Sequence, residues 1–168
     1  IAIDKKSDYI YVADSTTDSI SVFDDDGDFL FNFGDTGSSD DEFRNPSGMV
    51  IDDKDHILYV ADTDNHRIQI FELTDGDNCP SGTDEIENDE VCFVDNFGSS
   101  GSGDGRFDEP SGLAFDEDNS LLYVADTENN RIQVFEIVSG NTCPDGTDEI
   151  IDGVCFVEEF GSSGSGDG

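Results

Sequence analysis

The sequence predicts an all-β protein built from three similar units, each made of four short antiparallel strands. The first observation is a repeated sequence motif, which reads YVADSTTDSISVF at 11–23, YVADTDNHRIQIFE at 59–72 and YVADTENNRIQVFE at 123–136. The second is that the apolar stretches are short and dominated by Tyr, Val, Ile and Phe, which favour pleated strands. The third is that no stretch has the i, i+3, i+4 apolar spacing of an amphipathic helix.

Two further stretches recur, one upstream and one downstream of that motif. The upstream stretch ends in Asp and reads IAID at 1–4, NPSGMVID at 45–52 and EPSGLAFD at 109–116. The downstream stretch ends in Phe-Gly and reads FLFNFG at 29–34, CFVDNFG at 92–98 and CFVEEFG at 155–161. We therefore divide the chain into three units with boundaries at residues 1–48, 49–112 and 113–168.

The third unit shows how the four strands of a unit are separated. Its apolar stretches are, in order, GLAFD, LLYVAD, RIQVFEI and VCFVEEF. RIQVFE alternates apolar with polar residues, as a half-buried strand does. Turn-forming residues, such as those in DEDNS and DTENN, lie between the stretches. Repeats of this length with four strands are typical of β-propeller blades, whereas the repeats of a solenoid are usually shorter.

The repeated motifs identify a family resemblance. P-S-G-[LM]-x-x-D is followed by L-Y-V-A-D-T-x-N-x-R-I-Q-[VI]-F and then by F-G-S-S-G-S-G-D-G-R-F. This series resembles the NHL-repeat β-propeller family over nearly the whole chain, apart from two inserts. The resemblance implies an all-β fold of NHL-type propeller blades. The first unit departs from the motif, because Ser19 and Thr17 stand where the other units have Arg and Asn.

Three blades are too few to close a propeller, and NHL rings are typically six-bladed. An open arc exposes unpaired strand edges and sheet faces, which invite association. We therefore expect the blades to belong to a larger ring or repeat assembly. The expected partners are further blades of the same protein or other copies of the chain, arranged in a closed ring or a head-to-tail filament.

Charged side chains recur at the tight turn after the second strand of each unit. Asp14, Asp62 and Asp126 end that strand, where a carboxylate can accept hydrogen bonds from turn N–H groups. Arg67 and Arg131 follow in the last two units and could pair with these carboxylates. Because a catalytic site needs to occur only once, repetition favours a structural role over ligand binding.

Units two and three carry similar inserts between their third and fourth strands, CPSGTDEIENDEVC at 79–92 and CPDGTDEIIDGVC at 143–155. The four cysteines allow three pairings. Repeat symmetry favours Cys79–Cys92 and Cys143–Cys155, so that each insert is closed by its own disulfide. Zinc binding is the competing interpretation, but the spacing lacks C-x-x-C and the chain has only two histidines. Paired cysteines indicate an oxidising setting, so we expect an extracellular or cell-surface protein.

Aspartates in two turns weakly resemble a calcium loop. Asp24, Asp26 and Asp28 surround Gly27, and TDGDN occupies 74–78. A calcium loop of the EF-hand type needs a longer set of ligands that ends in a bidentate Glu. Ordinary turns explain these residues better. We therefore expect no cofactor, with the three aspartates kept as weak Ca²⁺ candidates.

The charge of the chain excludes several partners. It has 42 acidic and 7 basic residues, which gives a net charge of −35. Nucleic acid binding needs clustered Lys and Arg, and an anionic membrane surface would repel such a chain. No apolar run approaches the length of a membrane span, so we expect no membrane insertion.

No residue set in the sequence points to catalysis. Some NHL-like propellers are lyases or lactonases that hold a metal with several His or acidic ligands, but here His56 and His66 lie in turns of one unit. The sequence therefore predicts a non-enzymatic, secreted structural repeat protein in an extracellular assembly, such as a surface layer or filament. One alternative is an extracellular module that binds protein, glycan or Ca²⁺. The other is a metal-dependent hydrolase or lyase with its ligands in further blades.

Overall fold

A computed structural model describes residues 1–74, 79–80, 83–87, 90–138, 143–144, 147–151 and 153–161. These residues form three antiparallel sheets, one for each repeat unit, and a single short turn of 3₁₀ helix at Thr63–Asn65. The all-β, propeller-blade architecture expected from the sequence is therefore confirmed. Within the described ranges, no helix has the length and apolar character needed to cross a membrane.

Blade 1 is a four-stranded sheet whose strands lie side by side in chain order. The strands are β1 (Ala2–Ile3), β2 (Ile10–Asp14), β3 (Ser19–Phe23) and β4 (Phe29–Phe33). Strands β3 and β4 are joined by the FDDDGDF hairpin, in which Gly27 has a φ of +85°. Because a residue with a side chain is strained at that φ, the Asp-Gly turn read from the sequence explains why the chain reverses here.

A short connection leads from blade 1 to blade 2. It contains β5 (Asp35–Thr36) and β6 (Glu42–Phe43), which pair in parallel. The connection from blade 2 to blade 3 repeats this geometry as a single parallel bridge between Ser100 and Phe107. Each connection therefore folds back on itself and presents one Phe to the neighbouring sheets.

Blades 2 and 3 contain the four expected strands and a fifth that the sequence did not predict. Blade 2 consists of β7 (Pro46–Asp52), β8 (Ile57–Asp62), β9 (Arg67–Leu73), β10 (Asp84–Glu87) and β11 (Val91–Phe97). Blade 3 consists of β12 (Pro110–Asp116), β13 (Leu121–Asp126), β14 (Arg131–Ile137), β15 (Asp148–Ile151) and β16 (Val154–Phe160). In both sheets the insert supplies the extra strand, β10 or β15, which pairs with the last strand at the edge of the blade.

Each insert is closed by a disulfide. Cys79 is bonded to Cys92 and Cys143 to Cys155, as repeat symmetry indicates, with Cα–Cα distances of 5.7 and 5.6 Å. Cys92 and Cys155 lie fully buried on β11 and β16. In the chain-entropy view, closing a loop of this length contributes about 3 kcal/mol to stability. The disulfides therefore hold the extra edge strands against their blades.

The hydrophobic core lies between the blades in two clusters related by the repeat. Between blades 1 and 2, the Phe71 ring lies 5.4 Å from the Phe33 ring and 5.9 Å from the Phe43 ring, measured between centroids. Between blades 2 and 3, aromatic residues 64 positions later repeat this arrangement, with Phe135 5.0 Å from Phe97 and 5.9 Å from Phe107. Three of these contacts are edge-to-face and that between Phe43 and Phe71 is tilted, and such contacts stabilise the core beyond the contribution of the apolar area that they bury.

Candidate functional site

The repeated charged residues form a buried network beside each of the two connections. We call it the Asp-Arg-Gln network and define it as Asp62, Asn65, Arg67 and Gln69 in blade 2, and Asp126, Asn129, Arg131 and Gln133 in blade 3. Asp62 ends β8 and is paired across the sheet with Arg67, the first residue of β9. The Arg67 Nε donates to Asp62 Oδ2 at 2.7 Å, and Gln69 Nε2 donates to the same oxygen at 3.2 Å.

The same side chains hold the preceding connection in place. The Arg67 Nη2 donates to the carbonyl oxygens of Ser39 (2.6 Å) and Glu42 (2.8 Å), and Gln69 Nε2 also donates to Glu42 O at 2.7 Å. In the other direction, the backbone N–H of Arg44 donates to Asp62 Oδ1 at 2.8 Å. One guanidinium and one carboxylate therefore fix a loop that has little regular structure of its own.

Blade 3 repeats the network 64 positions later. The Arg131 Nε donates to Asp126 Oδ2 at 2.7 Å, and its Nη2 donates to the carbonyl oxygens of Gly103 (2.8 Å) and Arg106 (2.9 Å). Arg131 makes a further ion pair with Glu159. Asp126 is as fully buried as Asp62. The two arginines therefore pair with the aspartates of their own blades.

Blade 1 shows what the position looks like without the arginine. Asp14 is only half-buried, and it accepts hydrogen bonds from the backbone N–H groups of Thr16 (2.8 Å) and Thr17 (3.4 Å). The hydrogen bond from the Thr16 N–H holds the pKa of Asp14 below its ordinary value, with smaller contributions from Thr17. Ser19, at the arginine position, shares a hydrogen bond with the Thr17 hydroxyl instead.

The two glutamines of the network are residues that sequence analysis missed. Gln69 and Gln133 lie on strands and are fully buried, and each accepts a backbone N–H from the connection, from Asp41 at 3.1 Å and Gly105 at 2.9 Å. The signal was present in the sequence, because R-I-Q is common to units two and three, whereas unit one has Ser21 at the glutamine position.

A second cluster joins the hairpin turns that follow the first strand of each blade. Asp4 is buried and its carboxylate lies 2.8 Å from the Nε2 of His56, which belongs to blade 2. It also accepts hydrogen bonds from the Ser7 hydroxyl at 2.6 Å and the Lys6 N–H at 2.9 Å. Burial alone raises the pKa of Asp4, but the hydrogen bonds from Ser7, Lys6 and His56 outweigh burial and lower it.

The neighbouring residues bring one cation and two carboxylates together from three blades. Lys5 of blade 1 forms an ion pair with Asp53 of blade 2 and lies 4.0 Å from Glu117 of blade 3. Burial raises the pKa of Asp53, but the hydrogen bond from Lys5 contributes to a net lowering. The hydrogen bond with Asp53 raises the pKa of Glu117. These contacts link the three blades at one end of their first strands.

The calcium candidates lie in an ordinary hairpin turn. The Asp24 carboxylate accepts the backbone N–H of Asp28 at 2.8 Å, and the Asp24 N–H donates to the Asp28 carbonyl at 3.0 Å. Calcium binding at Asp24, Asp26 and Asp28 stays a prediction. Of the other candidate, 74–78, only Thr74 lies within the described residues. Among the described residues, no three His, Cys, Asp or Glu side chains are grouped so that they could hold a metal ion.

The two histidines are separated by strand β8. His56 precedes the strand and contacts Asp4, whereas His66 follows it and accepts the backbone N–H of Glu109 at 3.2 Å through its Nδ1. Both histidines have a positive φ, 61° and 54°, which is typical of turn residues. They therefore serve two different contacts between blades.

Comparisons with known proteins agree with this architecture. The model of the NHL repeat matches residues 43–71 and 107–135. NHL repeat-containing protein 2 of Homo sapiens is 36% identical over 112 residues, which are 64% of this chain and 14% of that protein. The chain thus spans only a small part of this relative's length.

Solved structures share the fold. A periplasmic gluconolactonase of Pseudomonas aeruginosa matches with a TM-score of 0.62 and 13% identity, over 95% of this chain and 38% of that one. A protein of unknown function from Desulfotomaculum acetoxidans matches with a TM-score of 0.55 and 19% identity, over 92% of this chain and 39% of that one. At such low identity these likenesses concern the fold alone. The chain therefore contains two matched NHL repeats and a third blade of the same design, and it is similar to NHL repeat-containing proteins.

Proposed function

We propose that this chain is a non-enzymatic, secreted structural module that associates through the outward faces of its end blades, within an extracellular assembly such as a surface layer or filament. The observation that supports the proposal most is where the large exposed apolar side chains lie. Among the described residues they all belong to blades 1 and 3: Ile1, Ile3, Phe29, Leu30, Val157 and Phe160.

Equivalent positions of the middle blade are buried. Ile3 of blade 1 is 59% exposed, whereas Ile51, at the same position of blade 2, is 7% exposed. Phe160 of blade 3 is 53% exposed, whereas Phe97 of blade 2 is 2% exposed. Blade 2 is covered on both sides by its neighbours. The end blades therefore carry faces of the kind that, in this fold, pack against another blade.

The polar residues support a structural role rather than a chemical one. In blades 2 and 3 the Asp-Arg-Gln network is occupied by carbonyl oxygens and N–H groups of the connections. A carboxylate that is already paired with a guanidinium and several N–H groups has little capacity left for a substrate. The two disulfides fit a protein that functions in an oxidising compartment.

The mass of the native particle tests the proposal. We expect light scattering at about 0.15 M salt to give particles several times heavier than the 18.2 kDa chain, and negative-stain images to show rings or fibres. A single species of 18.2 kDa at all protein concentrations would contradict self-association.

A matched pair of variants locates the contact. Phe160→Asp places a charge on the exposed face of blade 3, and Ser102→Asp places the same charge on an exposed loop between blades 2 and 3. We expect Phe160→Asp to reduce the particle mass and Ser102→Asp to leave it unchanged. If both variants reduce the mass equally, added charge is the cause and the blade-3 face is not the interface.

A further inference from the structure

Blades 1 and 2 each hold a phenylalanine from the connection that follows them. In blade 1 the Phe43 ring packs directly on Gly34, where an added Cβ would lie 2.4 Å from the ring. In blade 2 the corresponding glycine is Gly98, where an added Cβ would lie 2.6 Å from the ring of Phe107. Both rings are fully buried. We call this feature the phenylalanine groove, defined by the last Phe-Gly of a blade and the start of its third strand.

The residues after each phenylalanine are also held. Two positions beyond Phe43, the N–H of Asn45 donates to Asp18 Oδ1 at 2.8 Å. Two positions beyond Phe107, the N–H of Glu109 donates to the Nδ1 of His66 at 3.2 Å. Asp18 and His66 occupy the same position, one residue before the third strand of their blades. The groove therefore binds a short stretch of backbone as well as a ring.

The next residue of the segment makes a third contact in blade 2. The hydroxyl of Thr63 donates to the carbonyl oxygen of Pro110 at 2.8 Å. Pro110 begins the Pro-Ser-Gly sequence that also occurs at 46–48. The bound segment thus has the form Phe-x-x-Pro-Ser-Gly in both connections.

Blade 3 has the same groove. Gly161 has a φ of +108°, close to the +107° of Gly98, and an added Cβ there would lie nearest to the Asn130 carbonyl at 2.8 Å, not to a ring. Phe160 is exposed, while Ile132 and Gly161 lie beside it. These residues and Thr127 line a pocket of about 290 Å³. Within the described part of the chain, no phenylalanine enters it.

We propose that the phenylalanine groove of blade 3 binds a Phe-x-x-Pro-Ser-Gly segment that belongs to an NHL repeat outside residues 1–168. The ring would pack on Gly161 against Phe160 and Ile132. Asn130 takes the place of His66 and would accept the N–H two positions later through its side-chain oxygen. Thr127 takes the place of Thr63 and donates to the carbonyl oxygen of the proline.

The chain's own segments do not supply this ligand. Phe43 and Phe107 are fully buried in the first two grooves, so a folded second copy presents neither of them. The occupant is therefore a further repeat. This inference rests on the proposed association through the faces of the end blades, and it concerns only the groove within the blade-3 face.

A tethered segment tests the proposal. We would extend the chain after Gly168 with RFDEPSGLAFD, the sequence of 106–116, because 162–168 repeats 99–105 and so keeps the natural spacing. Tethering raises the effective concentration of a short segment into the millimolar range. The control extension carries Ala in place of its first Phe, the counterpart of Phe107. The measurement is amide hydrogen exchange in 154–161 at low ionic strength, where the negative charges keep chains apart.

We expect the Phe extension to slow this exchange about tenfold relative to the Ala extension. Phe160→Ala should remove the difference, whereas Phe29→Ala should keep it, because Phe29 is similarly exposed but lies on blade 1. Equal exchange with the Phe and Ala extensions would overturn the proposal. Protection by the Phe extension in a chain that light scattering shows to be a monomer would support the groove and contradict self-association.

Discussion

Arg67 and Arg131 each neutralise an aspartate that solvent does not reach. Asp62 and Asp126 are 0% exposed, and the arginine Nε lies 2.7 Å from the carboxylate in both blades. Charges in such positions are tolerated only when they are paired and hydrogen-bonded. Each arginine therefore makes it possible to bury the aspartate, its turn and the adjacent connection together, which a surface ion pair does not do.

Replacing Arg67 with Ala should be strongly destabilising. The change leaves Asp62 buried without its cation and leaves the carbonyls of Ser39 and Glu42 without their guanidinium donor. Removing one partner of a buried pair costs about 3–5 kcal/mol. We expect the free energy of unfolding, measured by urea titration with the disulfides intact, to fall by about 3 kcal/mol.

Arg106→Ala is the matched control for this variant. Its side chain is exposed, so the free energy of unfolding should change by less than about 0.5 kcal/mol. A loss below about 1 kcal/mol for Arg67→Ala would show that the network contributes little to stability. The repeated arginine would then need a different explanation.

Sequence analysis could predict the Asp–Arg pairs but not the backbone groups of the connections to which these side chains also bond. Repetition of Asp and Arg at fixed positions indicates a salt bridge, and the structure shows one in each of blades 2 and 3. The rest of the network consists of backbone carbonyls at Ser39, Glu42, Gly103 and Arg106. A carbonyl acceptor has no side-chain signature, so only the folded connection reveals it.

Strand β9 shows why the alternating pattern of R-I-Q-I-F-E was only partly informative. Alternation predicts one apolar, buried face and one polar, exposed face. Ile68 and Gln69 are both fully buried, because β9 is central in its sheet and blade 2 lies between two other blades. The polar face is therefore buried as well, and there Gln69 forms hydrogen bonds with the connection between blades 1 and 2. Sequence periodicity describes one sheet and contains no information about what covers its second face.

Extra strands β10 and β15 were missed for a related reason. Each has four residues and contains few apolar positions, so neither resembles a strand by composition. They form because the disulfide and the hairpin geometry bring them beside β11 and β16, whose outer edges would otherwise be unpaired. Local propensity is overridden here by tertiary context.

The contact between the hairpins β1–β2 and β7–β8 makes stability depend on pH. Asp4 has a lowered pKa in the folded chain, so the folded state binds this proton less tightly than the unfolded chain does. The stabilisation is complete above the unfolded pKa of about 3.9. It is lost as the pH falls through the lower pKa of the folded state.

Replacing Asp4 with Asn should therefore have a pH-dependent effect. At pH 7 we expect urea unfolding to show a loss of about 2 kcal/mol, typical of hydrogen bonds to a buried charged group. The difference from the natural chain should shrink as the pH is lowered from about 5 to about 2. Asp26→Asn, in an exposed turn, is the control and should show no such trend. An Asp4→Asn loss of constant size over this range would contradict the assignment.

At the scale of the whole molecule, two features oppose each other. The end blades expose apolar side chains that favour association, while a net charge of −35 makes copies of the chain repel one another. Apolar burial changes little with moderate salt, whereas repulsion is screened over a Debye length of about 30 Å at 0.01 M and about 8 Å at 0.15 M. Ionic strength should therefore decide which feature prevails.

We expect the particle mass to rise with salt. Light scattering at constant protein concentration should show mostly single chains at about 0.01 M NaCl and larger particles at about 0.15 M. A parallel series in CaCl₂ at matched ionic strength separates screening from calcium binding. Equal masses in the two series mean that screening alone permits association, and larger particles in CaCl₂ mean that carboxylates bind Ca²⁺ between copies. The rise is expected because two 18.2 kDa chains, each with a net charge of −35, can associate at low salt only at a large electrostatic cost. A particle mass that does not change with salt would therefore show that charge repulsion does not control association.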